Sequence, residues 1–199
     1  MRADRRRVSL WVGAWIVGAA SPAHAAFGFD DLMRTLAQRR SGEAKFVEQR
    51  FVAVLDQTLT YTGTLSFTAP DRLARHTLTP RPESFIVEGN QLTLQRGERV
   101  RRLALDSVPE LAAMVEAMRG TLSGDGTALQ RYFKARVEGA ASRWTLTLVP
   151  IDFRLLGVVR QLRIDGHQAD VRVVELQLAD GDRSVMTIEP IAAKPRANP

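Results

Sequence analysis

Histidine and arginine are the residues through which this chain could do chemistry, and their placement leaves them little to do. The sequence has no cysteine and three histidines, His24, His76 and His167. A transition-metal site needs His, Cys, Asp or Glu gathered at ligand spacing, and two histidines outside a leader segment do not supply it. Ser-His-Asp catalysis would show its serine in a nucleophile-elbow pattern, and no such pattern occurs. The chain therefore reads as a non-enzyme with no cofactor and no metal. Arg75 shares a strand face with Leu73. There it is either a surface arginine whose stem covers apolar area, or a basic group at a cavity mouth facing a lipid phosphate or carboxylate. His76 points to the opposite face, so it does not pair with Arg75. His167 falls beside Asp165-Gly166, which reads as a hairpin turn and leaves it solvated.

The elements that would position these residues are strands. From Phe46 to Leu94 apolar residues recur at every second position: Tyr61, Leu65 and Phe67, then Phe85 and Val87, then Leu92 and Leu94. Turn chemistry separates them at Ala69-Pro70-Asp71, Thr79-Pro80-Arg81-Pro82 and Gly89-Asn90. Strands are expected at about 45–55, 59–69, 72–79, 84–88, 91–96 and 99–105, and again at 132–138, 143–149, 158–165, 169–179 and 184–189. A helix from Phe29 to about Arg40, capped by Asp30, precedes them. In the middle, Ser107-Val108-Pro109-Glu110 reads as a capping box. Leu111, Val115, Met118 and Leu122 follow as one helical stripe with Met114 beside it, and Gly120 and Gly124-Asp125-Gly126 end it. A short helix over 127–131 comes next, and Asp180-Gly181 reads as a further hairpin turn.

About eleven short strands with few helices give a mainly β, α+β fold. A curled antiparallel sheet or unclosed β-barrel is covered by an N-terminal helix and a central helical lid. A sheet of that size must curl to bury its inner face. The helices either plug its core or form a lid over a cavity for an apolar ligand. In the second case the cavity would be lined by Leu65, Phe67, Leu73, Phe85, Val87, Leu92, Leu94, Leu111, Val115 and Met118, with Arg75 as headgroup contact.

The ends bound the compartment. Arg5, Arg6 and Arg7 precede an apolar run of 13 residues, Val8 to Ala20, and Ala23-His24-Ala25 fits a cleavage site. The run is shorter than the ~20 residues that span a bilayer. Residues 1–25 thus read as a signal peptide, 26–190 as one domain, and 191–199 as a disordered tail. The leader carries four Arg and one Asp, so removing it lowers the net charge from +6 to +3. Basic residues are scattered apart from Arg99, Arg101 and Arg102, which argues against nucleic-acid binding. Without Cys at position 26 there is no lipidation site at the junction, and a soluble periplasmic monomer is expected.

Phe46 and Gln49, Gly63-Thr64-Leu65-Ser66-Phe67-Thr68-Ala69-Pro70, Pro80, and Val87-Glu88-Gly89 together resemble the periplasmic outer-membrane lipoprotein carrier family, LolA-like. The resemblance implies an unclosed β-barrel with a helical lid over an apolar cavity. It implies lipid or lipoprotein acyl chains as cargo, an inner-membrane donor and an outer-membrane acceptor. It also implies carriage through the periplasm towards the outer membrane. The family's arginine before the proline, held to secure the lid, falls on Ala69 here, and its tryptophan on the next strand falls on Arg75. The usual Trp and Tyr after the turn fall on Thr93 and Gln95. This is the pattern of a divergent branch. The alternative is a docking or sensing module of a membrane-associated export complex, with a filled core, no lipid ligand, and strand edges for contact.

Overall fold

A computed structural model of the chain describes residues 27–192. The expected leader cleavage and residues 193–199 of the expected tail lie outside the described residues. At residue 191 the chain is still paired, Ile191 N donating to Glu43 O at 2.8 Å.

Helix α1, Phe29–Leu36, buries Leu32, Met33 and Leu36 on one side. Its cap is Gly28, not Asp30, and the Asp31 carboxylate accepts from Gly28 N at 2.9 Å. The helix stops four residues short of Arg40. Gln38, Arg39 and Arg40 offer it no apolar side chain to bury, and the chain enters a strand at Ser41.

Two antiparallel meanders follow. The first is β1 (Ser41–Val52), β2 (Gln57–Thr68), β3 (Arg72–Thr79), β4 (Glu83–Glu88), β5 (Gln91–Arg96) and β6 (Arg99–Ala104). The second is β7 (Phe133–Ala140), β8 (Arg143–Pro150), β9 (Val159–His167), β10 (Asp170–Leu178) and β11 (Arg183–Pro190). They join through β1 and β11, paired from Ala44 opposite Pro190 to Phe51 opposite Arg183. The result is one sheet of 11 strands in the order β6-β5-β4-β3-β2-β1-β11-β10-β9-β8-β7. β6 and β7 do not pair, so the curled sheet is an unclosed barrel.

The chain between β6 and β7 forms α2 (Pro109–Ser123) and α3 (Gly126–Tyr132). The expected capping box does not form. Ser107 Oγ donates backwards to Ala104 O at 2.6 Å, and α2 starts on Pro109, whose missing N–H costs nothing in a first turn. Gly120 lies inside α2 rather than ending it. A Cβ there would stand 2.9 Å from Leu129 Cγ, so the glycine lets α2 and α3 approach closely. The helix ends at Gly124, in the left-handed region with φ 69°.

The turn expected at Asp165-Gly166 lies further on, at Gln168-Ala169, with Gln168 at φ 52°. Gly166 stays inside β9 because Trp144 lies across it. A Cβ would fall 2.1 Å from the indole Cζ2. One element was not expected, the single turn α4, Phe153–Leu156, between β8 and β9.

Two apolar clusters hold the parts together. The main one packs Leu32, Leu36, Phe133, Trp144, Leu148 and Ile164 beneath α1, α2 and α3. A second joins Val87, Leu92, Leu105 and Val115 across β4, β5 and the start of α2. Each fully buried side chain of this size contributes about 1.5–3 kcal/mol.

Candidate functional site

Between the two clusters the inner face of the sheet is not filled. An apolar cavity of about 260 Å³ lies under the second half of α2. Its floor is Leu65 and Phe67 of β2, Leu73 of β3 and Phe85 of β4 on one side, and Val174 of β10 with Met186 and Ile188 of β11 on the other. Met118 and Leu122 of α2 form its roof, and Arg39, Glu43 and Pro190 stand at its edge.

Leu65, Phe67, Leu73, Phe85 and Met118 thus come together on the cavity, and Arg75 borders it. Val87, Leu92, Leu94, Leu111 and Val115 do not line it. They belong to the second cluster, where Val87 and Leu92 are fully buried. The helical stripe divides along its length. Leu111 and Val115 pack against β4 and β5, while Met118 and Leu122, two turns on, roof the cavity. Val174, Met186 and Ile188 were missed. They come from the second meander and reach the cavity only through the β1–β11 pairing.

Glu48 was missed as well, and it is the most constrained polar residue of the inner face. Ala44, Phe46 and Glu48 alternate inward on β1, and all three are buried, Glu48 to 3% exposure. Its carboxylate accepts from Arg75 Nη2 at 2.5 Å, from Ser184 Oγ at 2.5 Å and from Arg50 Nη2 at 3.2 Å. Burial alone would push this carboxyl up. The hydrogen bond from Ser184 and the charges of Arg75 and Arg50 more than offset that, so it titrates below the ordinary glutamate value. Arg75 lies over the Phe46 ring, 4.6 Å from its centroid, and its Nε donates to Thr77 Oγ1 at 3.3 Å. The guanidinium borders the cavity, but its charge is matched by Glu48 and is not free.

His76 points outward, as its parity requires, with Nδ1 2.9 Å from Ser84 Oγ. His167 is exposed at the end of β9. Among the described residues no helix is long and apolar enough to cross a membrane.

The roof is tied down from its own side. Arg119 of α2 donates through Nη2 to Gly89 O in the β4–β5 turn and through Nη1 to Glu116 Oε1, both at 2.8 Å. Ala69 and Pro70 line a cleft shared with Glu116, Arg119 and Gly120. The position that lacks the arginine therefore faces the helix that carries one.

An open antiparallel sheet curled around an apolar space and covered by a helix defines the class of this protein: an unclosed β-barrel with a helical cover. The family described as outer membrane lipoprotein carrier protein LolA-like matches residues 19–197. The chain belongs to that family. No curated protein matches the sequence. Among solved structures it is similar to a LolA superfamily protein from Nitrosomonas europaea, at 12% identity and a TM-score of 0.44, over 85% of this chain and 96% of that one. It is similar also to the MucA/MucB complex structure of Pseudomonas aeruginosa, at 13% identity and 0.44, over 84% of this chain and 59% of that one. A third is LprF from Mycobacterium bovis, at 10% identity and 0.34, over 86% and 96%.

Proposed function

We propose that the protein is a soluble periplasmic carrier that takes acyl chains, of lipoproteins or another lipid, into the cavity under α2 and moves them towards the outer membrane. The observation that carries this reading is the unfilled apolar space bounded by Leu65, Phe67, Phe85 and Met118. The lining offers an acyl chain contact, and the one charge on its inner floor, Arg75, is engaged by Glu48. Arg75 would meet an anionic headgroup only by exchanging partners.

Magnitudes support a loose grip. Full burial of a 16-carbon chain is worth roughly 13 kcal/mol at ~0.8 kcal/mol per CH₂. A carrier holding its cargo that tightly could not hand it on. A cavity this small accepts part of a chain and leaves the rest to exchange.

The test is displacement of an apolar fluorescent probe, run beside chemical denaturation. Phe67→Trp and Met118→Trp should lower probe binding several-fold with little loss of stability, because there is space to enter. Unchanged probe binding with a loss of about 1–3 kcal/mol, the usual cost of overpacking, would overturn the carrier and favour the docking module. Mass spectrometry of extracts from gently purified protein would name the lipid.

A further inference from the structure

The connection between β8 and β9 is more firmly built than its position requires. Asp152 caps α4, its Oδ1 accepting from Arg154 N at 2.8 Å and Leu155 N at 3.3 Å. Leu155 is buried in the main core, and Val158 N returns to Leu155 O at 3.0 Å. Around this anchor the other large apolar side chains turn outward. Phe153 is 77% exposed and Ile151 58%, and Leu156 and Val158 are exposed beside them. A loose loop shows such side chains by chance; this one holds them in place.

Two further connections are stitched to it. Ala179 N donates to Val158 O at 2.9 Å, and Arg160 Nη2 to Ala179 O at 3.3 Å. In the same β10–β11 turn Asp182 Oδ1 accepts from Ala53 N at 2.9 Å, which brings in the β1–β2 connection. Next to Ala53, Val54 is 90% exposed. Three connections thus form one rim of the sheet, from which apolar side chains project as separate points.

Around the β8–β9 connection the charges are sorted. Arg154 lies 5.7 Å from the Phe153 centroid. Arg154, Arg160 and Lys134 are exposed, and none has a carboxylate partner among the described residues. Of the nearby carboxylates, Asp152, Asp180 and Asp182 each accept from a backbone amide, and Asp56 on the β1–β2 connection is exposed away from the β8–β9 arginines in sequence and strand order.

We propose that this rim is a membrane-contact surface. Phe153, Ile151, Val158 and Val54 enter the headgroup–acyl boundary of an anionic phospholipid bilayer, and Arg154 and Arg160 meet its phosphates. Apolar side chains with arginines at their base are what an interface of that kind accepts. A protein partner would need a pocket for each projecting point, whereas a liquid surface deforms around all of them. The contact holds whatever the cavity carries.

Vesicle sedimentation tests it. Protein from the soluble fraction of producing cells should co-sediment with vesicles of phosphatidylethanolamine and phosphatidylglycerol. The Ile151→Asp/Phe153→Asp variant should lose about tenfold in partitioning. Its thermal unfolding and its apolar-probe binding should stay as in the parent, because both side chains are in solvent and away from the cavity. Arg154→Glu/Arg160→Glu should weaken binding only where phosphatidylglycerol is present. A parent protein that does not sediment, or a double-aspartate variant that sediments like the parent, would overturn the proposal. So would a concentration-dependent dimer abolished by Phe153→Asp, which would assign the rim to a second copy of the chain. Probe binding reports on the cavity alone, so failure of the carrier reading is read separately.

Discussion

A carboxylate buried in the apolar trough of a sheet is stable only through its partners, and Glu48 has three. Arg75→Ala would leave it ionised and nearly enclosed. Removing one member of a buried pair costs about 3–5 kcal/mol. Because Arg75 is itself 25% exposed and Arg50 remains, the loss should lie at the low end, about 3 kcal/mol by urea denaturation. Glu48→Leu with Arg75→Leu should recover most of it, since that change leaves no unpaired charge. If Arg75→Ala is neutral, the pair does not hold the inner face together. Glu48 also sets a pH dependence. Its folded-state value is depressed, so its stabilisation is fully present above the unfolded value of ~4.3. That stabilisation is lost as pH falls through the lower, folded value. Glu175, lowered by hydrogen bonds from Gln177 and Arg183, loses its share in the same direction. Acid unfolding of Glu48→Gln should therefore be flatter below pH ~4.3 than that of the parent, and parallel curves would show that the carboxylate does not contribute.

At the scale of elements, α2 is a helix with two tasks. Its first half is fixed in the second cluster, and its second half roofs the cavity. Arg119 lies on the second half and ties it to Gly89 O, a charge-assisted hydrogen bond worth about 1.5–3 kcal/mol. Arg119→Ala should raise amide exchange in the turns around Met118 and Leu122 more than around Leu111, and should speed entry of an apolar probe. Exchange rising equally along the helix would mean that Arg119 is not the tie. Gly120→Ala sets two effects against each other. Alanine gains up to ~1 kcal/mol of helix propensity, but its Cβ would stand 2.9 Å from Leu129 Cγ and 3.1 Å from Asp125 O. Leu129 can move a little, whereas the backbone oxygen cannot, so overpacking of about 1–3 kcal/mol wins. Thermal denaturation should show a lower midpoint.

For the molecule as a whole, what the sequence disclosed followed the range of the interaction. β3 and β5 were legible to the residue, because Pro70, Pro80 and Gly89-Asn90 are local turn signals between alternating runs. Glu48 was hidden, because a charge at the third inward position of Ala44-Phe46-Glu48 looks like the end of an apolar face; two of the three partners that keep it inside, Ser184 and Arg75, are distant in sequence. α4 is a single turn, too short to show a helical period. The half of the cavity made by Val174, Met186 and Ile188 depends on the β1–β11 seam, which no local pattern announces. That seam also sets an order of events. As the chain is synthesised, each hairpin of β1 to β6 can close soon after it emerges. β1 waits for its other neighbour until residues 183–190 appear, and until then the nascent protein carries an open strand edge beside a half-built apolar trough. Bare edges of this kind recruit other chains, and long-range pairing is slow. Among the described residues the strand made last is the one that closes the sheet beside its middle strand, β1, so a chain interrupted before residue 183 is cut at its centre, not at its margin.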